Sequence, residues 1–330
     1  IACLTIEQEA GRLHAPSLVV APTSVIDNWK AEIERFAPDL DCQIYYGSER
    51  NQTLKNAGSQ TILITTYAVI RNDVEQLTDR QWYYLIVDEA QFIKNPQSLA
   101  ARCLCQLSAK HKLCLSGTPI ENKLTELWSL FHFLMPDFLG SQRIFHQTYA
   151  REIESGSAEG RTLAGHLRKR ISPFLLRRKK ELVATELPPK TEIIRPVELS
   201  QQQADYYEAV RAAMNQKVTH ELENKGFAAS RIVVLDALLK LRQICCDPRL
   251  YLKHTETSEI PSAKLETALE LIESLLRNGH RILLFSQFTS MLVLIETELR
   301  ARSINFRTLT GATKNRGTLV QSFQAGDFPL

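Results

Sequence analysis

The 330-residue sequence lacks several patterns that would assign a protein to a class at once. No apolar run approaches the roughly 20 residues of a transmembrane helix, and no basic segment with an apolar core opens the chain, as in a signal peptide. The seven cysteines never show the paired spacing of a zinc site. We therefore expect reduced thiols, a cytosolic compartment and no membrane partner. Internal repeats and low-complexity segments are also absent.

The sequence has no large excess of positive or negative charge. The 40 Lys and Arg residues nearly balance the 37 Asp and Glu residues, leaving a net charge of +3. Overall charge therefore does not indicate a nucleic-acid-binding protein, and any basic surface must be local. The most basic stretch, residues 168–180, is interleaved with apolar residues. The stretch could contact DNA phosphates, or it could brace the two lobes against each other. The residues that could do either are Arg177, Arg178, Lys179 and Lys180.

One stretch organises the rest of the chain. Residues 83–87 form a short apolar, β-branched run that stops at Asp88 and Glu89. The run predicts a strand buried on both faces of a parallel sheet, with the carboxylates just beyond its carboxyl end, where open α/β sheets place their chemistry. One carboxylate could hold Mg²⁺ on nucleotide phosphates, and the other could deprotonate an attacking water. A strand that ends in a solvated turn would look the same.

The order of several motifs separates these readings. The segments DEAQFIKNPQS (88–98) and SGTPIENKLTELW (116–128) resemble motifs II and III of superfamily-two helicases, in the form typical of the SWI/SNF-type double-stranded DNA translocases. The ending LRQICCDP (241–248), after a large helical region, resembles the same branch and differs from RNA helicases. By overall resemblance, the insertion sequence points to bacterial members.

The resemblance implies an α/β fold with two RecA-like doubly wound parallel-sheet lobes, both incomplete here, and helical insertions. We expect the following divisions: lobe 1 in 1–137, a helical insertion and return to lobe 1 in 138–187, the crossing and first strand of lobe 2 in 188–199, a second helical insertion in 200–255, and lobe 2 in 256–330. The phosphate-binding pattern G-x-x-x-x-G-K-[S/T] does not occur, nor do the family's motifs V and VI. We expect a fragment of a longer protein, inactive in ATP hydrolysis by itself.

Site residues also follow from the resemblance. It implies ATP and Mg²⁺ as cofactors, with Asp88 holding the metal through the nucleotide and Glu89 activating water. Residues implied to couple nucleotide state to movement are Gln91, Ser116, Gly117 and Thr118. Residues implied to contact the backbone of duplex DNA are Thr23, Thr65, Thr66, Ser286, Gln287, Thr310, Gly311, Thr313 and Arg316.

The function implied for the parent protein is an ATP-dependent translocase that remodels or displaces DNA-bound proteins, such as RNA polymerase or nucleoid and chromatin proteins. It would lie in the cytoplasm on the nucleoid if bacterial, and in the nucleus if eukaryotic. A non-catalytic module that binds DNA or a protein is the alternative. An RNA helicase is a third possibility.

Local patterns give further expectations. Ser24 is expected to cap the helix after the first strand, and the core face of that helix is expected to contain Ile26, Trp29, Ile33 and Phe36. Ser200 is expected to cap a long helix reaching about Gly226. We also expect strands at residues 192–199, 281–285 and 306–309, the second of them buried.

Overall fold

The computed structural model describes residues 1–117, 123–178, 180–183, 186–251, 260–313 and 316–330. These residues pack into two units, Ile1–Leu187 and Pro188–Leu330. The division falls before Pro188 and Pro189, whose fixed backbone angles favour an extended connection. In the described ranges, no helix has both the length and the apolar composition needed to cross a bilayer.

The first unit contains a parallel sheet, to which the described residues contribute five strands in the order β2-β3-β1-β4-β5. The strands are β1 Ser17–Ala21, β2 Cys42–Ile44, β3 Ile62–Thr66, β4 Trp82–Val87 and β5 Ala109–Cys114. The helices are α1 Ala2–Glu9, α2 Ile26–Phe36, α3 Arg50–Asn56, α4 Tyr67–Asn72, α5 Val74–Thr78, α6 Leu99–Gln106 and α7 Leu124–Leu134. This alternation of strand and helix confirms the predicted α/β class.

The two faces of the sheet carry separate apolar cores, because alternate residues of a strand point to opposite faces. On β1, Leu18 and Val20 belong to one core and Val19 to the other. Helices α4, α6 and α7 contribute to the first core, and α1 and α2 contribute to the second. Both faces are therefore covered, which explains why the central strands read as continuous apolar runs.

The turn after β1 differs from expectation. A 3₁₀ turn at Thr23–Val25 precedes α2, whose N-cap position is Val25 without a side-chain hydrogen bond. The predicted cap by Ser24 is therefore wrong. Ile26 and Ile33 are buried as predicted, whereas Phe36, the last residue of α2, is 61% exposed.

The remainder of the first unit is helical, as predicted, with a break near Ser155. Its elements are α8 Gln142–Phe145, a π-helical turn His146–Ala150, α9 Arg151–Glu154, α10 Ala158–Ile171, a 3₁₀ turn Ser172–Phe174 and α11 Lys180–Val183. Leu127 and Phe131 of α7 pack with Phe145 and Leu167 in a third apolar core. This core attaches the helical segment to the sheet region through α7.

Gly160 lies where α10 approaches α9 most closely. A Cβ atom at this position would lie 2.1 Å from the carbonyl oxygen of Glu152, so the main chain would have to move. We expect Gly160→Ala to lower the free energy of unfolding by about 1–3 kcal/mol, the usual cost of overpacking. Denaturant unfolding of the purified protein measures this change.

Gly165 on the same helix is the matched control. A Cβ atom there meets no atom within 4 Å, and alanine is the better helix former by about 1 kcal/mol. Gly165→Ala should therefore leave stability unchanged or raise it. Similar changes in both variants would mean that the approach to Glu152 does not require glycine at position 160.

The second unit is built mainly of helices in the part of the chain that the structure describes. They are α12 Gln201–Cys246, α13 Ala263–Arg277, α14 Thr289–Ala301 and α15 Arg316–Ala325, with a 3₁₀ turn at Pro248–Leu250. Helix α12 consists of two arms joined at Gly226, which has φ +71°. The arms run back along each other, since Gln203 Nε2 donates to the Ile244 carbonyl (2.8 Å). Ser200 caps α12 by accepting from the Gln203 N–H, as predicted.

The three segments expected as strands of the second unit form no β-ladder among the described residues. The Ile282 N–H donates to the Pro329 carbonyl (2.8 Å), and the Arg307 N–H donates to the Leu330 carbonyl (2.9 Å). Residues 281–285 and 306–309 therefore flank the last residues of the chain, and neither segment pairs with the other.

The burial of two of these segments also differs from the prediction. Ile282 and Leu284 pack against the core of α13 and α14, whereas Phe285 on the opposite face is 87% exposed. Ile282 and Leu284 are only partly buried, so the expectation that residues 281–285 are buried is wrong. Residues 192–199 are mostly exposed, with Ile194 at 93%, so the strand expected there has no surface to pack against among the described residues.

Candidate active site

Asp88 and Glu89 lie at the carboxyl edge of the sheet, directly after β4. Main-chain hydrogen bonds hold their turn between the neighbouring strands. The Asp88 N–H donates to the Val20 carbonyl (2.8 Å), and the Ala90 N–H donates to the Leu115 carbonyl (2.9 Å). Both carboxylates therefore emerge between the ends of β1 and β5, where parallel sheets bind their ligands.

The main chain of this turn is strained at Glu89. Its backbone has φ +50° and ψ +53°, a left-handed conformation that costs a non-glycine residue about 1–2 kcal/mol. The hydroxyl of Tyr67 donates to the carbonyls of Asp88 (2.5 Å) and Glu89 (3.2 Å). Strain that is held by specific partners is typical of functional turns.

Tyr67 is well suited to hold the turn. Its ring stacks on Phe92 with the centroids 5.0 Å apart, which fixes the direction of the hydroxyl. Burial raises the pKa of Tyr67 above its ordinary value, so the phenol remains protonated and remains a donor. Tyr67 directly follows Thr65 and Thr66, and no pattern in the sequence assigned it a role at Asp88 and Glu89.

The carboxylate of Asp88 has a donor on each oxygen. Oδ1 accepts from the Glu89 N–H (2.9 Å), and Oδ2 accepts from the indole Nε1 of Trp29 (2.7 Å). Trp29 packs against the second core, as predicted, but its role at Asp88 was missed. One signal was present, because a buried indole N–H nearly always finds an acceptor.

A chain of hydrogen bonds connects Glu89 to the turn after β5. Gln91 Nε2 donates to Glu89 Oε2 (2.6 Å), and Ser116 Oγ donates to Gln91 Oε1 (3.1 Å). The structure thus brings together the two predicted catalytic residues and two of the predicted coupling residues. Gly117 is exposed at the end of this turn, and Thr118 lies outside the described residues.

The donor set of the site fits Mg²⁺. Among the described residues, no three His, Cys, Asp or Glu side chains are grouped as a metal site. Mg²⁺ is usually held by one or two carboxylates together with water and substrate phosphates. Asp88, with Glu89 beside it, offers that arrangement.

The DNA-contact candidates of the first unit differ in exposure. Thr23 is exposed at the start of its 3₁₀ turn. Thr65 and Thr66 are buried, because the Thr65 hydroxyl donates to the Tyr45 carbonyl (2.8 Å) and the Thr66 hydroxyl accepts from the Val69 N–H (3.2 Å). The hydroxyls of Thr65 and Thr66 are therefore engaged within the fold, and a DNA contact at this turn would use its main chain.

The basic stretch is solvent-exposed where the structure describes it. Arg177 and Arg178 are exposed, Lys180 begins α11, and Lys179 lies outside the described residues. Arg170 places its guanidinium 5.1 Å from the centre of the Phe138 ring and donates to the Phe138 carbonyl. One basic residue of the stretch thus braces the helical segment, while the two exposed arginines face solvent.

In the second unit, two groups of candidates form separate turns. Ser286 both donates to the Phe288 carbonyl and accepts from the Phe288 N–H, while exposed Gln287 accepts from Arg242. The other group is one compact turn, in which Thr313 Oγ1 accepts from the Thr310 N–H (2.8 Å).

Arg316 closes this second turn. Its guanidinium donates to the carbonyls of Thr310 (3.0 Å) and Gly311 (2.8 Å). The structure therefore brings these candidates together, with Arg316 shaping the turn from within.

A parallel sheet with helices on both faces and an acidic turn at the carboxyl end of a central strand is the architecture of a RecA-like lobe. Residues 1–250 match the family model of the SNF2-related domain, and the chain belongs to this family.

Similar proteins agree with this family assignment. The chain is 36% identical over 332 residues to YwqA of Bacillus subtilis (strain 168), whose name is that of an ATP-dependent helicase/translocase, with 98% of the chain and 35% of the relative covered. It is 36% identical over 336 residues to the chromodomain-helicase-DNA-binding protein 1-like of Mus musculus, covering 97% of the chain and 36% of the relative. The chain thus spans about a third of the length of these relatives.

A solved structure, the SWI2/SNF2 ATPase core of Sulfolobus solfataricus in complex with double-stranded DNA, is similar with a TM-score of 0.53 and 33% identity. The alignment covers 98% of this chain and 67% of that chain. This likeness supports the RecA-like lobes predicted from the sequence.

Proposed function

We propose that the protein containing this chain is an ATP-dependent translocase on duplex DNA, with Asp88 and Glu89 in its hydrolytic site. The observation that carries the proposal is the turn after β4, where Asp88 accepts a hydrogen bond from Trp29 of another segment. Glu89 accepts one from Gln91, which in turn accepts from Ser116 after β5. A turn that merely ends a strand has no need of such support. The names of the relatives and the DNA in the Sulfolobus structure support the same function.

Within this site the residues have separate roles. Asp88 would hold Mg²⁺, which neutralises charge on the nucleotide phosphates when bound. Glu89 acts as general base toward the attacking water, and its carboxylate is held at Oε2 by Gln91. Because the amide of Gln91 also accepts from Ser116, a change at Glu89 reaches the turn after β5 through two hydrogen bonds.

The DNA contacts are proposed to be to phosphates. The first unit offers hydroxyl, main-chain and cationic donors at the exposed Thr23 turn and at Arg177 and Arg178. The second unit offers hydroxyl, main-chain and cationic donors at the turns that contain Ser286 and Thr310. Phosphate contacts carry no base information, so binding should tolerate any sequence and weaken steeply with salt. Movement along such a duplex would displace or remodel the proteins bound to it.

A triplex-displacement assay tests this function. In the presence of ATP, the full-length protein should strip a third strand from a triplex that is flanked by duplex, and it should leave a forked duplex unopened. Strand separation, above all of an RNA duplex, without triplex displacement would favour the RNA helicase. DNA binding with neither movement nor ATP turnover would favour the non-catalytic module.

A further inference from the structure

Trp29 contacts the Asp88 carboxylate from a distant part of the chain. We propose that Trp29 is a positioning residue, which orients the Asp88 carboxylate for a metal-bound nucleotide. This inference deepens the proposed function and rests on it. The two residues are 59 positions apart in the sequence, yet Trp29 Nε1 lies 2.7 Å from Asp88 Oδ2.

The hydrogen bond from Trp29 determines the orientation of the Asp88 carboxylate. The Glu89 N–H, which belongs to the same turn, holds Oδ1 at 2.9 Å. Without the indole, this local bond is the one hydrogen bond from the described residues that would restrain the rotation of the carboxylate about its Cβ–Cγ bond. Hydrogen bonds to an ionised oxygen are stronger than neutral ones, so Trp29 supplies a second firm point of attachment.

Helix α2 makes this attachment rigid. Ile26, three residues before Trp29, is 4% exposed, and Ile33, four residues after it, is fully buried. Both lie in the second core, against which the Trp29 ring also packs. The indole is therefore fixed to the sheet independently of the turn that it supports.

The chemistry of the donor also suits a metal ligand. Indole is a neutral donor without acceptor capacity. An arginine or lysine in the same place would neutralise Asp88 and compete with a cation for it. Trp29 orients the carboxylate and leaves its full negative charge available to the metal.

The other tryptophans of the chain show the usual structural pattern. The Trp82 indole donates to the Leu77 carbonyl (3.0 Å), and the Trp128 indole donates to the Gly140 carbonyl (2.9 Å). Of the three tryptophans in the sequence, Trp29 alone donates to a carboxylate. It does so at the carboxylate that the proposed function requires.

Nucleotide binding tests the role without relying on turnover. We would measure the affinity of the full-length protein for a fluorescent, non-hydrolysable ATP analogue, in Mg²⁺ and in EDTA. Trp29→Phe keeps an aromatic side chain, although a smaller one, and removes the N–H. It should bind as the wild type does in EDTA, and it should lose about 10–100-fold of the affinity gained from Mg²⁺, as is typical when a partner of a metal ligand is removed.

Trp128→Phe is the matched control. It removes an equivalent indole hydrogen bond from the same unit and should lower the melting temperature with a wild-type Mg²⁺ response. If Trp29→Phe fails to fold, benzothienylalanine at position 29 replaces the N–H by sulfur in a ring of the same shape, and the same loss is expected.

The outcomes separate the two claims. A wild-type Mg²⁺ response in the Trp29 variant would overturn the positioning role and leave the proposed function intact. A wild-type protein whose nucleotide affinity does not respond to Mg²⁺ would overturn the proposed function, and the positioning role with it.

Discussion

Replacing Glu89 by Gln in the full-length protein should lower the kcat of ATP hydrolysis by about 10²–10⁴-fold, the usual contribution of a general base. Glutamine has nearly the same shape, and its amide oxygen can still accept from Gln91, which now donates to Glu89 Oε2 at 2.6 Å. The turn should therefore survive while the base is lost. Steady-state turnover at saturating ATP and duplex DNA measures the effect.

The control for this variant is Glu34→Gln, which removes an exposed carboxylate of α2 that pairs only loosely with Lys30, at 3.7 Å. It should retain wild-type turnover. Duplex binding should be unchanged in both variants. Turnover of the Glu89 variant within twofold of the wild type would contradict the assignment of Glu89 as the base.

Replacing Asp73 by Ala should destabilise the first unit by about 3 kcal/mol, the upper part of the range for leaving a buried hydrogen-bonding group without its partner. Asp73 is 5% exposed. It accepts from Arg50 at 2.6 and 3.1 Å and from the Tyr45 hydroxyl at 2.7 Å. The substitution leaves the buried tyrosine hydroxyl without its acceptor and the guanidinium without its counter-charge. Denaturant unfolding at neutral pH measures the loss.

The same cluster predicts a dependence on pH. The hydrogen bonds from Arg50 hold the pKa of Asp73 below its ordinary value. A carboxylate whose pKa is lower in the folded protein stabilises it above the unfolded pKa of about 3.9, and this contribution is lost as the pH falls through the lower folded value. The stability difference between wild type and the Asp73 variant should therefore be full at pH 7 and shrink below about pH 4.

Asp79→Ala is the control for Asp73, because Asp79 is exposed in the same region of the chain. It should change stability by less than about 0.5 kcal/mol, as surface substitutions usually do. A difference between wild type and the Asp73 variant that stays constant down to pH 2 would contradict the ion-pair explanation.

The elements that could be predicted are those whose signals are local. The apolar run of β4 and the capping residue Ser200 of α12 both act within a few residues. The strands at 281–285 and 306–309 could not be predicted in the same way, because a strand becomes part of a sheet only through partners that are distant in sequence. In this structure those segments contact the last residues of the chain.

In the candidate site too, residues in local motifs could be predicted, whereas a residue that reaches the site from another segment could not. Asp88, Glu89, Gln91 and Ser116 lie in recognisable motifs, and the structure joins the last three by hydrogen bonds. Trp29 could not be assigned, since helical spacing identifies a core face without saying which acceptor the indole reaches.

The Tyr67 turn shows a further limit of sequence patterns. Thr65 and Thr66 fit a DNA-contacting motif, but a motif does not report that both hydroxyls are engaged within the fold. Tyr67, the next residue, holds the main chain of Asp88 and Glu89. Its contact spans 21 or more residues of sequence, which no local pattern reveals.

The most direct test of the central claim is the ATP turnover of the full-length protein with and without nucleic acid. We expect low basal turnover, strong stimulation by duplex DNA of any sequence, and loss of that stimulation at high salt. Stimulation by duplex RNA alone, or the absence of turnover under every nucleic acid while DNA binding persists, would contradict it.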